Sequence, residues 1–269
     1  MALWTLRGLV QGVASTDWPQ KADGNHGQQG ALGMPRIAAE CCYDDCRRCE
    51  HACPTHAIRL DDGGHLAALD YGRCIACQLC VEACPSGSLQ ASDAWAFGVR
   101  ERGDLAWTLD PPPLPAAKRL ASRIETSFRG SLHIRHVDAG SCNGCESELQ
   151  ALHNPFYNLH RLGIFFTASP RAADLLLVTG TVTAAMREPL LATWQAMPEP
   201  KRVLACGTCA VSGGACGDTY ASGKGLEGVL PVDVWLPGCA PNPAAIIEAL
   251  LLLLERKPQH VHGGRVHES

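Results

Sequence analysis

From residue 131 onward the chain switches repeatedly between two hydrophobic patterns. Leu132-His133-Ile134-Arg135-His136-Val137 alternates apolar and polar side chains and predicts a strand. A loop with Cys142 and Cys145 follows, then a helix from about Glu146 that stops at Asn154-Pro155. Residues 164–167 predict a second strand, and Leu175-Leu176-Leu177-Val178, apolar throughout, predicts a third covered on both faces as in a parallel sheet. Residues 182–197 predict a helix closed by Pro198 and Pro200, and residues 202–205 and 232–235 predict two more strands. Asn242-Pro243 offers an N-cap and a first-turn proline for a last helix reaching about Arg256. Strand and helix in alternation predict an α/β domain with a parallel sheet over residues 131–256.

Upstream the pattern is different. Residues 1–35 hold few apolar side chains and Gly24, Gly27, Gly30 and Gly33, which predicts an extended arm packing on a neighbour or on the next domain. Residues 36–92 predict a small α+β domain with short strands at 57–60 and 88–91, each following a cysteine cluster. Residues 93–130 contain Asp110-Pro111-Pro112-Pro113-Leu114-Pro115, a stiff extended linker, followed by a short basic helix over 116–128. Residues 257–269 are a polar tail. The longest apolar run, 244–254, is interrupted by Glu248 and is too short to span a bilayer, so membrane association is expected only through partners.

Composition narrows the chemistry. The 269 residues are 46% hydrophobic and 19% charged, as in folded domains, and the formal charge of −4 gives no reason to expect nucleic acid. Fifteen cysteines, an odd number grouped in C-x2-C spacings, make a poor disulfide framework. The first 35 residues show no basic segment leading into a sustained apolar one, so a cytoplasmic location with reduced thiols and metal binding is expected.

Cys74-x2-Cys77-x2-Cys80-x3-Cys84-Pro85 has the bacterial ferredoxin spacing. Three thiolates on one tight loop reach three corners of a [4Fe-4S] cube, and the remote fourth serves the other cluster. Cys46-x2-Cys49-x3-Cys53-Pro54 repeats the pattern, but Tyr43 stands where a leading cysteine belongs. Cys42 is therefore assigned through a loop longer by one residue, with Cys41 as the alternative. The expected sets are Cys42, Cys46, Cys49 and Cys84 for one cluster, and Cys53, Cys74, Cys77 and Cys80 for the other. Two runs each ending in Cys-Pro favour iron-sulfur over a zinc ribbon. In the carboxy-terminal half, Cys142 and Cys145, Cys209 and Cys239 each follow a predicted strand. The carboxyl ends of parallel strands open on one edge, where ligands bind, so these four read as the thiolates of a third cluster. Cys206 and Cys216 read as packing residues. Residues 217–224 lack the spacing of a phosphate loop, and His153, His160, His260, His262 and His267 lack ligand spacing.

These residues resemble the small subunit of energy-converting, group 4 membrane-bound [NiFe]-hydrogenases of the formate hydrogenlyase type, within the superfamily of the 20 kDa subunit of complex I. The segments 138–148, 169–174, 179–187, 211–214 and 232–239 carry that resemblance, and residues 36–92 resemble a two-cluster ferredoxin-like electron-transfer subunit fused ahead of it. The resemblance implies a flavodoxin-like domain with a proximal [4Fe-4S] cluster on Cys142, Cys145, Cys209 and Cys239, docked on a large subunit that holds nickel and iron. It also implies membrane subunits, a formate dehydrogenase, ferredoxin or other donor, and a place on the cytoplasmic side of the inner membrane. Many hydrogenase small subunits continue into a second cluster domain where this chain has only its polar tail, and the amino-terminal ferredoxin would supply those relay clusters. The quinone-reducing relative has adjacent cysteines where this chain has Cys-x2-Cys, which favours hydrogen chemistry. The alternatives are a quinone or ferredoxin oxidoreductase subunit without hydrogenase activity, or an iron-sulfur carrier without an enzyme partner.

Overall fold

The computed structural model describes residues 7–10, 12, 30–37, 43, 45–108 and 131–256. Cys41 and Cys42, most of the amino-terminal arm, the proline-rich linker with its expected helix, and the polar tail lie outside the described residues.

The first structured unit is built from two nearly equivalent halves. Helix α1 (Arg48–Ala52) ends at Cys53 with φ −81 and ψ 108, and α2 (Leu79–Ala83) ends at Cys84 with φ −84 and ψ 105. The cysteine of each Cys-Pro pair thus closes a short helix with the same extended geometry, because proline excludes the helical region for the residue ahead of it. After these helices come β2 (Ile58–Leu60) and β4 (Leu89–Gln90), at the two places where short strands are expected. β4 pairs antiparallel with β1 (Arg36–Ile37), and β2 with β3 (Leu66–Asp70), which in turn pairs with β5 (Ala106–Thr108). Residues 93–108, expected as the start of a linker, are therefore built into the fold. Arg102 holds Asp70 with two hydrogen bonds of 2.9 and 2.8 Å where β3 meets β5. Residues 33–35 of the expected arm pack here too. The amides of Gly33 and Met34 donate to Ser92 and Ala94, and the Tyr71 hydroxyl donates to the Pro35 carbonyl.

The second unit is a five-stranded, fully parallel sheet of β6 (Leu132–Asp138), β7 (Ile164–Phe166), β8 (Leu175–Thr179), β9 (Arg202–Cys206) and β10 (Val234–Leu236), in the spatial order β7-β6-β8-β9-β10. Helices α3 (Gly144–Ala151), α4 (Ala184–Ala196), α5 (Thr208–Ser212) and α6 (Pro243–Leu253) follow β6, β8, β9 and β10. The Asn242 side chain caps α6 by accepting from the Ala245 amide at 2.8 Å, the role expected from Asn242-Pro243.

Alternation along the strands sorts the core into two layers. Ile134, Leu175, Leu177, Leu204 and Val234 face one side, with α6 laid over them. Leu176, Val178, Val203, Ala205 and Trp235 face the other and share one continuous apolar cluster with Leu69, Tyr71, Phe97 and Val99 of the first unit. Each fully buried leucine contributes about 1.5–3 kcal/mol, so this shared layer binds the two units firmly. At its margin Val99 and Trp235 exchange both backbone hydrogen bonds, at 2.9 and 2.8 Å.

Candidate metal centres

In the first unit, Cys53, Cys74, Cys77 and Cys80 line one cavity of about 330 Å³ including its mouth, together with Pro35, Ile58, Leu69 and Ile75. Cys53 thus joins the three cysteines of the second run. Cys74 and Cys80 are buried, and Cys77 is exposed. Burial pushes the Cys74 thiol up to about 12 and the Cys80 thiol up to about 11, with the neighbouring thiols adding to both. Backbone amides are aimed at sulfur, Ala57 at Cys53 Sγ (3.2 Å) and Ala76 at Cys74 Sγ (3.4 Å). Such donors compensate the negative charge of a thiolate and tune a cluster bound to it.

The other half presents Cys46, Cys49 and Cys84, with Cys49 buried beside the packed α1 and α2. At Cys84 burial acts upward, but hydrogen bonds from Ser86, Leu89 and Ser88 outweigh it and the pKa is lowered. Arg47 is tied to Glu50 at 2.8 Å and to the Asp61 carbonyl at 3.0 Å, so it serves the start of α1.

In the second unit the segments after β6, β9 and β10 bring Cys142, Cys145 in the first turn of α3, Cys209 in α5 and Cys239 near one another at the carboxyl edge of the sheet. Burial pushes the Cys209 thiol up to about 12, and the thiols of Cys239, Cys145 and Cys142 add to the shift. Cys239 is raised by burial and then by Cys142 and Cys145. Cys145 is buried, Cys209 half-buried, and Cys142 and Cys239 are exposed, so the group opens on one side. Asp138 shapes the first loop by accepting from the amides of Gly140 and Ser141 at 2.8 Å. Gly207 has φ +92, and a Cβ there would stand 2.5 Å from Cys145 Sγ. Gly214 is similar, with its absent Cβ 2.7 Å from Cys209 Sγ. The backbone therefore approaches both sulfurs as only glycine allows.

Three side chains that sequence reasoning left out, or read otherwise, belong to this neighbourhood. Cys206 is fully buried, as a packing cysteine should be, yet its thiol hydrogen-bonds Cys145 and is the leading cause of that thiol's raised pKa. Its place at the end of β9, one residue before Gly207, was the only signal for it. Thr208 is 1% exposed, donates from Oγ1 to the Cys74 carbonyl at 3.0 Å, and accepts there from the Gly238 amide at 3.0 Å. Glu146 sits in the first turn of α3 and is largely covered. It accepts from the Thr179 hydroxyl, which also lies 2.9 Å from Nε2 of His136, a ring whose pKa burial lowers.

The donor sets suit iron-sulfur chemistry. Four of the side chains lining the first cavity are thiols, beside Thr55, Gln78 and apolar neighbours, and the edge of the sheet adds four more with glycine backbone against sulfur. Among the described residues no group of three or more His, Cys, Asp or Glu side chains is placed to hold a single metal ion. Also among the described residues, no helix is long and apolar enough to cross a membrane.

Comparison with known proteins agrees with this chemistry. Residues 41–89 match the 4Fe-4S dicluster domain, and residues 142–253 match the family described as NADH ubiquinone oxidoreductase, 20 Kd subunit. Formate hydrogenlyase subunit 7 of Escherichia coli (strain K12) is 40% identical over 155 residues, which are 56% of this chain and 61% of that protein, so the chain spans about three fifths of this relative. The probable membrane-bound hydrogenase subunit mbhJ of Pyrococcus furiosus is 40% identical over 149 residues, 54% of this chain and 89% of that one. A chain in the structure of the membrane-bound sulfane sulfur reductase, an archaeal respiratory membrane complex, is 37% identical with a TM-score of 0.44, covering 49% of this chain and 72% of its own. With nearly the whole of mbhJ matched and a dicluster segment ahead of it, the chain belongs to the NADH ubiquinone oxidoreductase 20 Kd subunit family of oxidoreductase subunits, which includes the hydrogenase small subunits.

Proposed function

We propose that the chain is the electron-transfer subunit of a membrane-associated group 4 [NiFe]-hydrogenase-like complex. It holds three [4Fe-4S] clusters, on Cys42, Cys46, Cys49 and Cys84, on Cys53, Cys74, Cys77 and Cys80, and on Cys142, Cys145, Cys209 and Cys239. When bound, each cluster supplies one-electron redox chemistry at a low reorganisation cost. The protein's part is to hold the thiolates, to aim amides at sulfur, and to keep water from the buried ligands.

The observation that carries this reading is the open thiol group at the carboxyl edge of the sheet, where Cys142 and Cys239 are exposed while Cys145 is buried. A ligand set closed on the protein side and open on the other suits docking on a large subunit that holds nickel and iron. Residues 36–92 form the dicluster domain, to which 93–108 add β5, and 131–256 form a flavodoxin-like one, whose strand order of second-first-third-fourth-fifth supports that fold. Membrane subunits anchor the complex on the cytoplasmic side of the inner membrane, and a formate dehydrogenase, ferredoxin or other donor feeds it.

Anaerobically prepared protein should contain about twelve irons in three clusters with distinct EPR signals. A count near eight removes the carboxy-terminal site. Co-purification of a nickel-containing subunit separates the complex from an independent carrier.

A further inference from the structure

We infer that Thr208 is a positioning residue that locks the second ferredoxin thiol site to the carboxy-terminal one, and that its hydroxyl is the bonded bridge between them. This rests on the reading that both thiol sets hold clusters. One oxygen atom serves three loops. Oγ1 donates to the carbonyl of Cys74, a member of the first set, at 3.0 Å. It accepts at 3.0 Å from the amide of Gly238, the residue before Cys239, and Thr208 is itself bonded to Cys209. A second tie, from the Thr208 amide to the Gly238 carbonyl at 2.9 Å, fixes the pair. The side chain is 1% exposed, so water cannot replace either partner of the hydroxyl. A buried hydroxyl that both donates and accepts has no isosteric apolar substitute, because a methyl group leaves a carbonyl and an amide unpaired.

The bridge orders the path. The site of Cys53, Cys74, Cys77 and Cys80, tied through Cys74 to the loop before Cys239, exchanges electrons with the carboxy-terminal site. Each transfer oxidises one site by one electron and reduces the other by one. The hydroxyl keeps its proton throughout.

The test uses the full chain in its purified complex, with Thr208→Val, Thr208→Ala and Thr208→Ser. Thr208→Val should keep the full iron content and all EPR signals. It should speed hydrogen exchange at the Gly238 amide roughly tenfold, broaden the distance distribution between the two centres by pulsed EPR, and slow electron arrival at the carboxy-terminal site after mixing with reduced viologen. Thr208→Ser should restore all three readouts. Unchanged exchange and unchanged transfer in Thr208→Val would overturn the inference. So would loss of iron in both Thr208→Val and Thr208→Ala, which would make Thr208 a support of the ligand loops. A wild-type chain short of twelve irons would instead fail the functional reading, and the Gly238 exchange would still report on the bridge.

Discussion

The second ferredoxin site and the carboxy-terminal site use the same ligands in opposite ways. In the first, three of the four cysteines lie within seven residues of one another, around a short helix, and the fourth closes the matching helix of the other half. Apolar side chains from Pro35 to Ile75 wall most of the cavity, and Cys77 is the one exposed thiol of the four. In the second, three loops far apart in sequence meet because parallel strands place their carboxyl ends on one edge, and two of the thiols stay exposed. A site made by local spacing can be closed by its own domain. A site made by a sheet inherits the open edge of that sheet, and its completion is left to another surface.

The largest expected effect separates the two directly. Gly207→Ala would place a methyl against Cys145 Sγ at a φ that L-residues resist, and should remove about four irons from the carboxy-terminal site while both ferredoxin signals survive. Equal loss from all sites would break the contrast between them. Next, Cys53→Ser should disturb the same EPR signal as Cys77→Ser, and Cys84→Ser the other ferredoxin signal; the reverse pairing would undo the crossed ligand sets. Leu176→Ala, in the fully buried strand β8, should cost about 2–5 kcal/mol and shift a single unfolding transition. Two separated transitions in calorimetry would show that the shared layer does not couple the units.

Acidity gives a gentler test. The thiols of Cys74 and Cys209 rise from 9.0 to about 12 through burial, so each carries its proton at neutral pH before iron arrives. Thiolate ligation releases those protons, and iron uptake should therefore become more favourable as pH rises. The sign for the iron-free fold is opposite. Its unfolded thiols ionise first, so stability is lost as pH climbs from about 9 to about 12. Equal pH dependence of uptake at the half-exposed and the walled site would be the expected pattern, and its absence at either would show up in iron-binding titrations. The smallest effect is Arg102→Met, which removes a partly exposed pair with Asp70 and should cost about 1 kcal/mol in chemical denaturation without changing iron content.

Much of this was legible in the chain because spacing and alternation are local. The Cys-x2-Cys runs, the alternating start of Leu132–Asp138 and the uniformly apolar residues 175–178 each state their conformation without help from distant residues. β3 was not legible, since Leu66-Ala-Ala-Leu-Asp70 has no β-branched residue and no alternation, and is a strand only because β2 and β5 flank it. β5, Ala106-Trp107-Thr108, was hidden by its three-residue length beside a proline-rich stretch that promised a linker. The thiol group at the sheet edge was legible only once the strands were placed. Thr208 and Cys206 act through partners distant in sequence, and nothing in their neighbours announces it.

The exchange of backbone hydrogen bonds between Val99 and Trp235 bears on how the chain avoids sticking to itself. β10 is a terminal strand of the five-stranded sheet, and an uncovered terminal strand is a template on which other chains can stack. Val99 occupies that template from within, and Gly98 packs beside it against Ala249 of α6. A carboxy-terminal fragment beginning after residue 108 should thus be prone to aggregation, whereas the joined chain carries its own shield. The amino-terminal unit is in this sense a built-in chaperone for the sheet as well as a neighbour for its thiols.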